Sequence, residues 1–202
     1  MTLIHNIQNI YHNNDILVKY LNYETVLVKD IDLSLLSEKD QQTFHSFKSP
    51  KRQLEFYHLR VLWDSFNTQQ PILYKSTGKP YLKQGFLSMS HSHKRVVIAY
   101  SPVKEVGVDI ELISPKIDKV KHKFLHPNDN FKTLEDLTVL WTIKEAVYKL
   151  FDGDDLFFMD NVEVKDLTEQ IAEIYHNHLK LKAKTKSKVI DNDYILSLAT
   201  TF

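Results

Sequence analysis

Apolar and polar positions alternate with period two near the start of the chain, with Ile16, Val18 and Tyr20 on one side. This predicts a strand, followed after a turn containing Asn22 by a second one through Val26 and Val28. The period then lengthens. Ser37 precedes Lys39, Asp40, Phe44 and Phe47 at helical spacing and is placed to cap that helix. Ser49-Pro50 opens a second helix, with Leu54, Tyr57, Leu59, Val61, Leu62 and Trp63 apolar and Lys51, Arg52 and Arg60 on the other face. Ser76-Thr77-Gly78-Lys79-Pro80 is a turn by composition. Short strands are expected over 86–90 and 95–99, joined by His91-Ser92-His93-Lys94, and over 106–112, where Ser114-Pro115 stops the run. A basic stretch over 119–123 leads to Phe124-Leu125 and a break at His126-Pro127-Asn128. Leu134, Leu137, Leu140, Trp141, Val147 and Tyr148 predict the clearest helix, over 133–150, closed by Asp152-Gly153-Asp154. Strands over 157–164, 171–175, 179–190 and 194–200 follow as hairpins.

Strands, a long helix and more strands thus occur twice, with a joint around Ser101-Pro102. The expectation is an α+β chain of two similar-sized halves, 1–102 and 103–202, with any active site in the cleft between them. The 202 residues are 43% hydrophobic, enough for a core, and no apolar run approaches the roughly 18 residues of a transmembrane helix. The first twenty residues lack the features of a signal peptide, which makes the expected location cytoplasmic and no membrane partner expected. The absence of cysteine removes disulfides, thiolate nucleophiles and thiolate zinc sites, so a metal must be held by oxygen or imidazole. Twenty-six basic residues balance twenty-six acidic ones, which gives no argument for a nucleic-acid partner. Four glycines and the lack of both GxxxxGK[ST] and GxGxxG argue against the nucleotide-loop folds. Lys180, Lys182, Lys184, Lys186 and Lys188 recur with period two, as a solvated face, a protected edge strand or an interface for an acidic partner.

Three constellations carry candidate chemistry. In Gly107-Val108-Asp109-Ile110-Glu111, period two sets both carboxylates on one face of a strand, a solvated pattern or a pair that a divalent cation would relieve. In Trp141-Thr142-Ile143-Lys144-Glu145-Ala146-Val147-Tyr148-Lys149, i,i+4 spacing stacks Trp141, Glu145 and Lys149. That is a plain ion pair worth roughly a few tenths of a kcal/mol, or one wall of a polyphosphate-metal site. In Ser88-Met89-Ser90-His91-Ser92, hydroxyls and an imidazole either cap a turn or donate to phosphate oxygens, with Lys79 supplying charge. A hydrolase triad is excluded, because the serine lacks a GxSxG elbow.

The order Lys51-Arg52, Gly78-Lys79-Pro80, Ser88-Met89-Ser90-His91-Ser92, Gly107-Val108-Asp109-Ile110-Glu111 and Trp141 through Lys149 resembles the 4'-phosphopantetheinyl transferase superfamily. The likeness is to its longer, single-chain, surfactin-synthetase-activating type, over roughly residues 50 to 153. The resemblance implies a pseudo-dimeric α+β fold, monomeric, with coenzyme A between the halves. It implies Mg2+ held by Asp109, Glu111 and Glu145, and Lys149 near the pyrophosphate. Arg52, Lys79, Ser90 and His91 would contact the coenzyme A phosphates, the 3'-phosphate above all, with Lys144 among the cofactor-binding residues. Glu145 is the preferred base, Asp129 the alternative, and Lys149 the second catalytic residue. The activity implied is holo-[acyl-carrier-protein] synthase: transfer of phosphopantetheine to a serine of an apo acyl or peptidyl carrier protein, releasing adenosine 3',5'-bisphosphate. Two departures are visible: Asp129 stands where relatives carry glutamate, and the glycine-rich exit after Lys149 is reduced to Gly153. A silent carrier-binding homologue and a metal-dependent phosphohydrolase remain as alternatives.

Overall fold

The computed structural model describes residues 6–12, 15–24, 26–126, 131–151, 161–164, 166–167, 170–176 and 179–202. The chain opens with the antiparallel pair β1 (Asn6–His12) and β2 (Leu17–Asn22), with a register shift between Asn9 and Tyr11. Two helices follow, α1 (Glu38–Ser46) and α2 (Pro50–Asp64). The hydroxyls of Ser37 and Ser49 accept from the Asp40 and Arg52 amides, and each such cap is worth about 1 kcal/mol. β3 (Leu73–Tyr74) and β4 (Pro80–Tyr81) form a small hairpin whose turn needs Gly78 at φ 86°. Next come β5 (Phe86–Ser92), β6 (Arg95–Ser101), β7 (Val106–Leu112) and the short α3 (Lys116–Val120). α4 (Leu134–Leu150) is capped by Thr133, and β8 (Val162–Glu163), β9 (Ile171–His176), β10 (Leu179–Ile190) and β11 (Tyr194–Thr200) complete the α+β fold.

One sheet runs β1-β2-β6-β5 and the other β7-β11-β10-β9-β8, all antiparallel. Alternation along each strand sorts the side chains into three cores. Leu21, Val96 and Ile98 face α2 with Leu59 and Leu62. Val18, Val97 and Ala99 meet Val108, Ile110, Leu196 and Leu198 between the sheets. Ala199, Ala183 and Ile174 pack under α4 with Leu140, Ile143 and Val147. The order of layers is therefore α2, sheet, sheet, α4.

Three expectations are corrected. No strand forms through Val26 and Val28. Both sides of β2 are occupied by β1 and β6, and residues Val28–Asp30 turn as a 3-10 helix while Val26 and Val28 pack on the α2 core. Arg60 is not on a solvated face: it is buried, its Nε 2.8 Å from Asp40 and its guanidinium 4.3 Å above the Phe56 ring. β10 is no edge strand, since β11 and β9 flank it. Residues 157–160 of the strand expected over 157–164, and 152–154 after α4, lie outside the described residues.

Candidate functional site

β5 and β7 are edge strands of different sheets, and three alternate residues of β5, Ser88, Ser90 and Ser92, are serines that reach β7. Ser88 Oγ accepts from the Val108 amide at 3.0 Å, and Ser92 Oγ accepts from the Leu112 amide at 3.3 Å. Ser90 Oγ donates to Asp109 Oδ1 at 2.6 Å, and Ser92 Oγ to Glu111 Oε2 at 2.7 Å. Hydroxyls thus serve where a backbone ladder would run. α4 crosses the same strand closely because residue 107 is glycine: a Cβ there would overlap the Ala146 carbonyl oxygen and stand 2.8 Å from the Leu150 amide nitrogen. The close approach lets the Lys149 ammonium donate to Asp109 Oδ1 at 2.7 Å and to the Val108 carbonyl at 3.1 Å.

Asp109, Glu111, Glu145 and Lys149 are thereby brought together with Ser90. Asp109 Oδ2 is buried and has no hydrogen-bond partner, an arrangement that costs about 1–3 kcal/mol or more for a charged oxygen. Burial, then the charges of Asp109 and Glu111, push the Glu145 carboxyl up to about 7 against the pull of Lys149. Glu111 is also raised, chiefly by burial, with the Ser92 hydrogen bond opposing. The i,i+4 pair between Glu145 and Lys149 is not made among the described residues, because Lys149 turns to Asp109 instead. Trp141 leaves the same line: it is half-buried, its ring centroid 5.2 Å from that of Phe124.

As the side chains stand, no three acidic or imidazole groups among the described residues converge on one point. The donor chemistry nevertheless fits a hard divalent cation: three carboxylates that repel one another, and one buried carboxylate oxygen that no donor reaches.

Two adjoining clefts of about 330 and 310 Å³ open beside this cluster, and Lys79, Pro80, Leu87 and Lys149 wall both. Lys79 sits at the β3–β4 turn. Across β5, His91 lies over the start of α2. Its Nδ1 is 3.3 Å from Glu55 Oε1, and its Nε2 is 3.0 Å from Arg52 Nη1. Burial, with Arg52, Lys149 and Lys51 nearby, lowers the imidazole below its ordinary value against the pull of Glu55. Lys144 is not brought to either group. It is 1% exposed and its ammonium donates to the Phe124 carbonyl at 2.7 Å, tying α4 to the turn after α3. Asp129 and Gly153 lie outside the described residues. Glu55 is the residue that spacing missed, since a glutamate beside Lys51 and Arg52 has the pattern of a solvated helix face.

The chain matches no curated protein sequence. The family model of the 4'-phosphopantetheinyl transferase superfamily matches residues 105–199, the stretch that supplies β7, α4 and the Asp109, Glu111, Glu145 and Lys149 cluster. Over this stretch the chain is similar to the 4'-phosphopantetheinyl transferase superfamily.

Proposed function

We propose that the protein is a holo-[acyl-carrier-protein] synthase type of transferase. It moves the 4'-phosphopantetheine group of coenzyme A to a serine hydroxyl of an apo acyl or peptidyl carrier protein and releases adenosine 3',5'-bisphosphate. The observation that carries this is the unpartnered, buried Oδ2 of Asp109 in a carboxylate cluster that also holds Lys149, where the two sheets meet. Residues 1–102 and 103–202 act as the two halves of one monomer, working in the cytoplasm.

Asp109, Glu111 and Glu145 would hold Mg2+, which when bound withdraws charge from the pyrophosphate and steadies the departing phosphate oxygen. Lys149 sets an ammonium against the same pyrophosphate, from a position already fixed by Asp109 and the Val108 carbonyl. Arg52, Lys79, Ser90 and His91 orient the nucleotide's phosphates, the 3'-phosphate by Arg52, Lys79 and His91. Glu145, directly or through a water, takes the proton of the carrier serine as its oxygen bonds to the phosphorus bearing the pantetheine arm. The bond from that phosphorus to the bridging oxygen breaks, and the adenosine bisphosphate leaves with the electron pair. An acidic carrier would be drawn to the lysine-bearing surface of the chain.

Incubating the purified chain with coenzyme A, Mg2+ and a panel of apo carrier proteins, read by intact mass, tests this. A phosphopantetheine adduct on one carrier serine, lost on chelation of the metal, is the expected result. Coenzyme A hydrolysed without an acceptor would make the chain a phosphohydrolase. Carrier binding with no adduct would make it a silent homologue.

A further inference from the structure

Glu55 belongs to none of the groups assigned above, yet it is a nearly enclosed charge beside Arg52 and His91. Its side chain is 4% exposed, while those of its neighbours Arg52 and His91 are 49% and 35% exposed. Its carboxylate faces three groups: Lys51 Nζ at 3.7 Å, Arg52 Nη1 at 3.4 Å and His91 Nδ1 at 3.3 Å. A guanidinium can only donate, so in its 3.0 Å contact with Arg52 Nη1 the Nε2 of His91 is the acceptor. The ring proton of the neutral imidazole then sits on Nδ1, the nitrogen 3.3 Å from Glu55 Oε1. One nearly enclosed carboxylate thus lies against both Nδ1 of His91 and the Arg52 guanidinium.

We propose that Glu55 is a positioning residue for a phosphate monoester. By favouring the Nδ1-protonated ring of His91 it leaves Nε2 to accept from Arg52, and it holds Arg52 so that the remaining guanidinium N–H groups are presented to the 3'-phosphate of coenzyme A; the inference rests on the function proposed above. Replacement by glutamine keeps the shape but removes the charge. The amide NH2 then confronts either the Nδ1–H of His91 or the Arg52 guanidinium, donor against donor, and one of them must turn away.

The test uses the full chain and its Glu55→Gln variant. The Kd for coenzyme A is expected to rise about tenfold, that for 3'-dephospho-coenzyme A to move less than about twofold, and turnover at saturating coenzyme A to be spared. In an Arg52→Ala/His91→Ala background the same change should add nothing, because Glu55 acts through those two side chains. The 15N shifts of His91, assigned by their loss in His91→Asn, should show an Nδ1-protonated ring in the parent and a different tautomer balance in Glu55→Gln. Equal penalties for the two nucleotides, a further loss in the double-variant background, or a parent His91 protonated on Nε2 would each overturn the inference. A parent chain that binds neither nucleotide fails the proposed function and overturns the phosphate assignment with it. The imidazole shifts would then still report whether Glu55 sets the tautomer.

Discussion

At Asp109 one carboxylate oxygen receives a hydroxyl and an ammonium while the other, which is buried, receives nothing. On the proposed function, replacing Asp109 by asparagine should cut Mg2+-dependent transfer by about a hundredfold or more, since the proposed hard anionic ligand is lost where charge must be compensated. Thermal stability should change little: the lost pair with Lys149 is offset by relief of repulsion with Glu111 and Glu145. Turnover near the parent level at limiting Mg2+ would show the metal assignment to be wrong. A second prediction concerns Tyr20 and Tyr23, whose phenols are pushed up to about 12. Burial is the first cause in both; Asp191 adds to it at Tyr20, and Glu55 with Tyr194 at Tyr23. A phenol held neutral by the fold stabilises below its unfolded value of 10.0 and loses that contribution as pH rises toward the folded value. Stability should fall between pH 10 and about 12, with phenolate absorbance appearing together with unfolding in an alkaline melt series. Asp109 and Glu111 were legible because period two is a local rule. Glu55, His58 and Arg60 were not, because helical periodicity records one apolar stripe whereas α2 is enclosed on most of its circumference by partners distant in sequence.

Each of the three longer helices announces its own start by a serine or threonine that does cap it, and these signals lie within four residues of what they cap. The stretch around Val26 had no such signal. Its fate depended on whether β2 had a free side, which only the pairing of β1 and β6 decides. The contact of α4 with β7 is likewise non-local, and it hangs on Gly107. Gly107→Ala should cost about 1–3 kcal/mol in a urea titration, because a methyl meets helix backbone that has no room to give. It should also reduce transfer, as Lys149 and Glu145 are lifted off Asp109. Gly78→Ala is the contrasting change, since open space surrounds that position and only the positive φ of 86° opposes a side chain. A loss at Gly107 no larger than the one at Gly78 would contradict the close approach.

Across the whole molecule, the mixture of helices and antiparallel strands was visible in the order of elements, but the contacts that join the two sheets were not. Arg95 shows why. It opens β6, yet its Nε and Nη2 lie 2.9 Å from Asp191 in the turn between β10 and β11, and its guanidinium is 4.8 Å from the Tyr194 ring. Nη1 also reaches Asn22 at the end of β2, and Tyr20 donates to the other oxygen of Asp191 at 3.0 Å. A residue that joins positions nearly a hundred apart leaves no periodic trace. Arg95→Ala should lower stability by about 1–3 kcal/mol, as a charge-assisted network is broken. The denaturant slope should stay unchanged if the two sheets still unfold together, and two separate transitions would show that they do not.

The serine seam has one more consequence, for the behaviour of many copies in solution. β5 and β7 are paired with strands on one side only, and it is side-chain hydroxyls that occupy the Val108 and Leu112 amides on the outer side of β7. At the far ends of the sheets, β1 carries an irregular register and β8 is two residues long, so neither invites a stranger to extend it. Ser88→Ala/Ser92→Ala would strip the internal edge of its cover and leave backbone donors able to recruit a strand from another molecule. Light scattering of the double variant at rising concentration should then reveal self-association that the parent chain does not show.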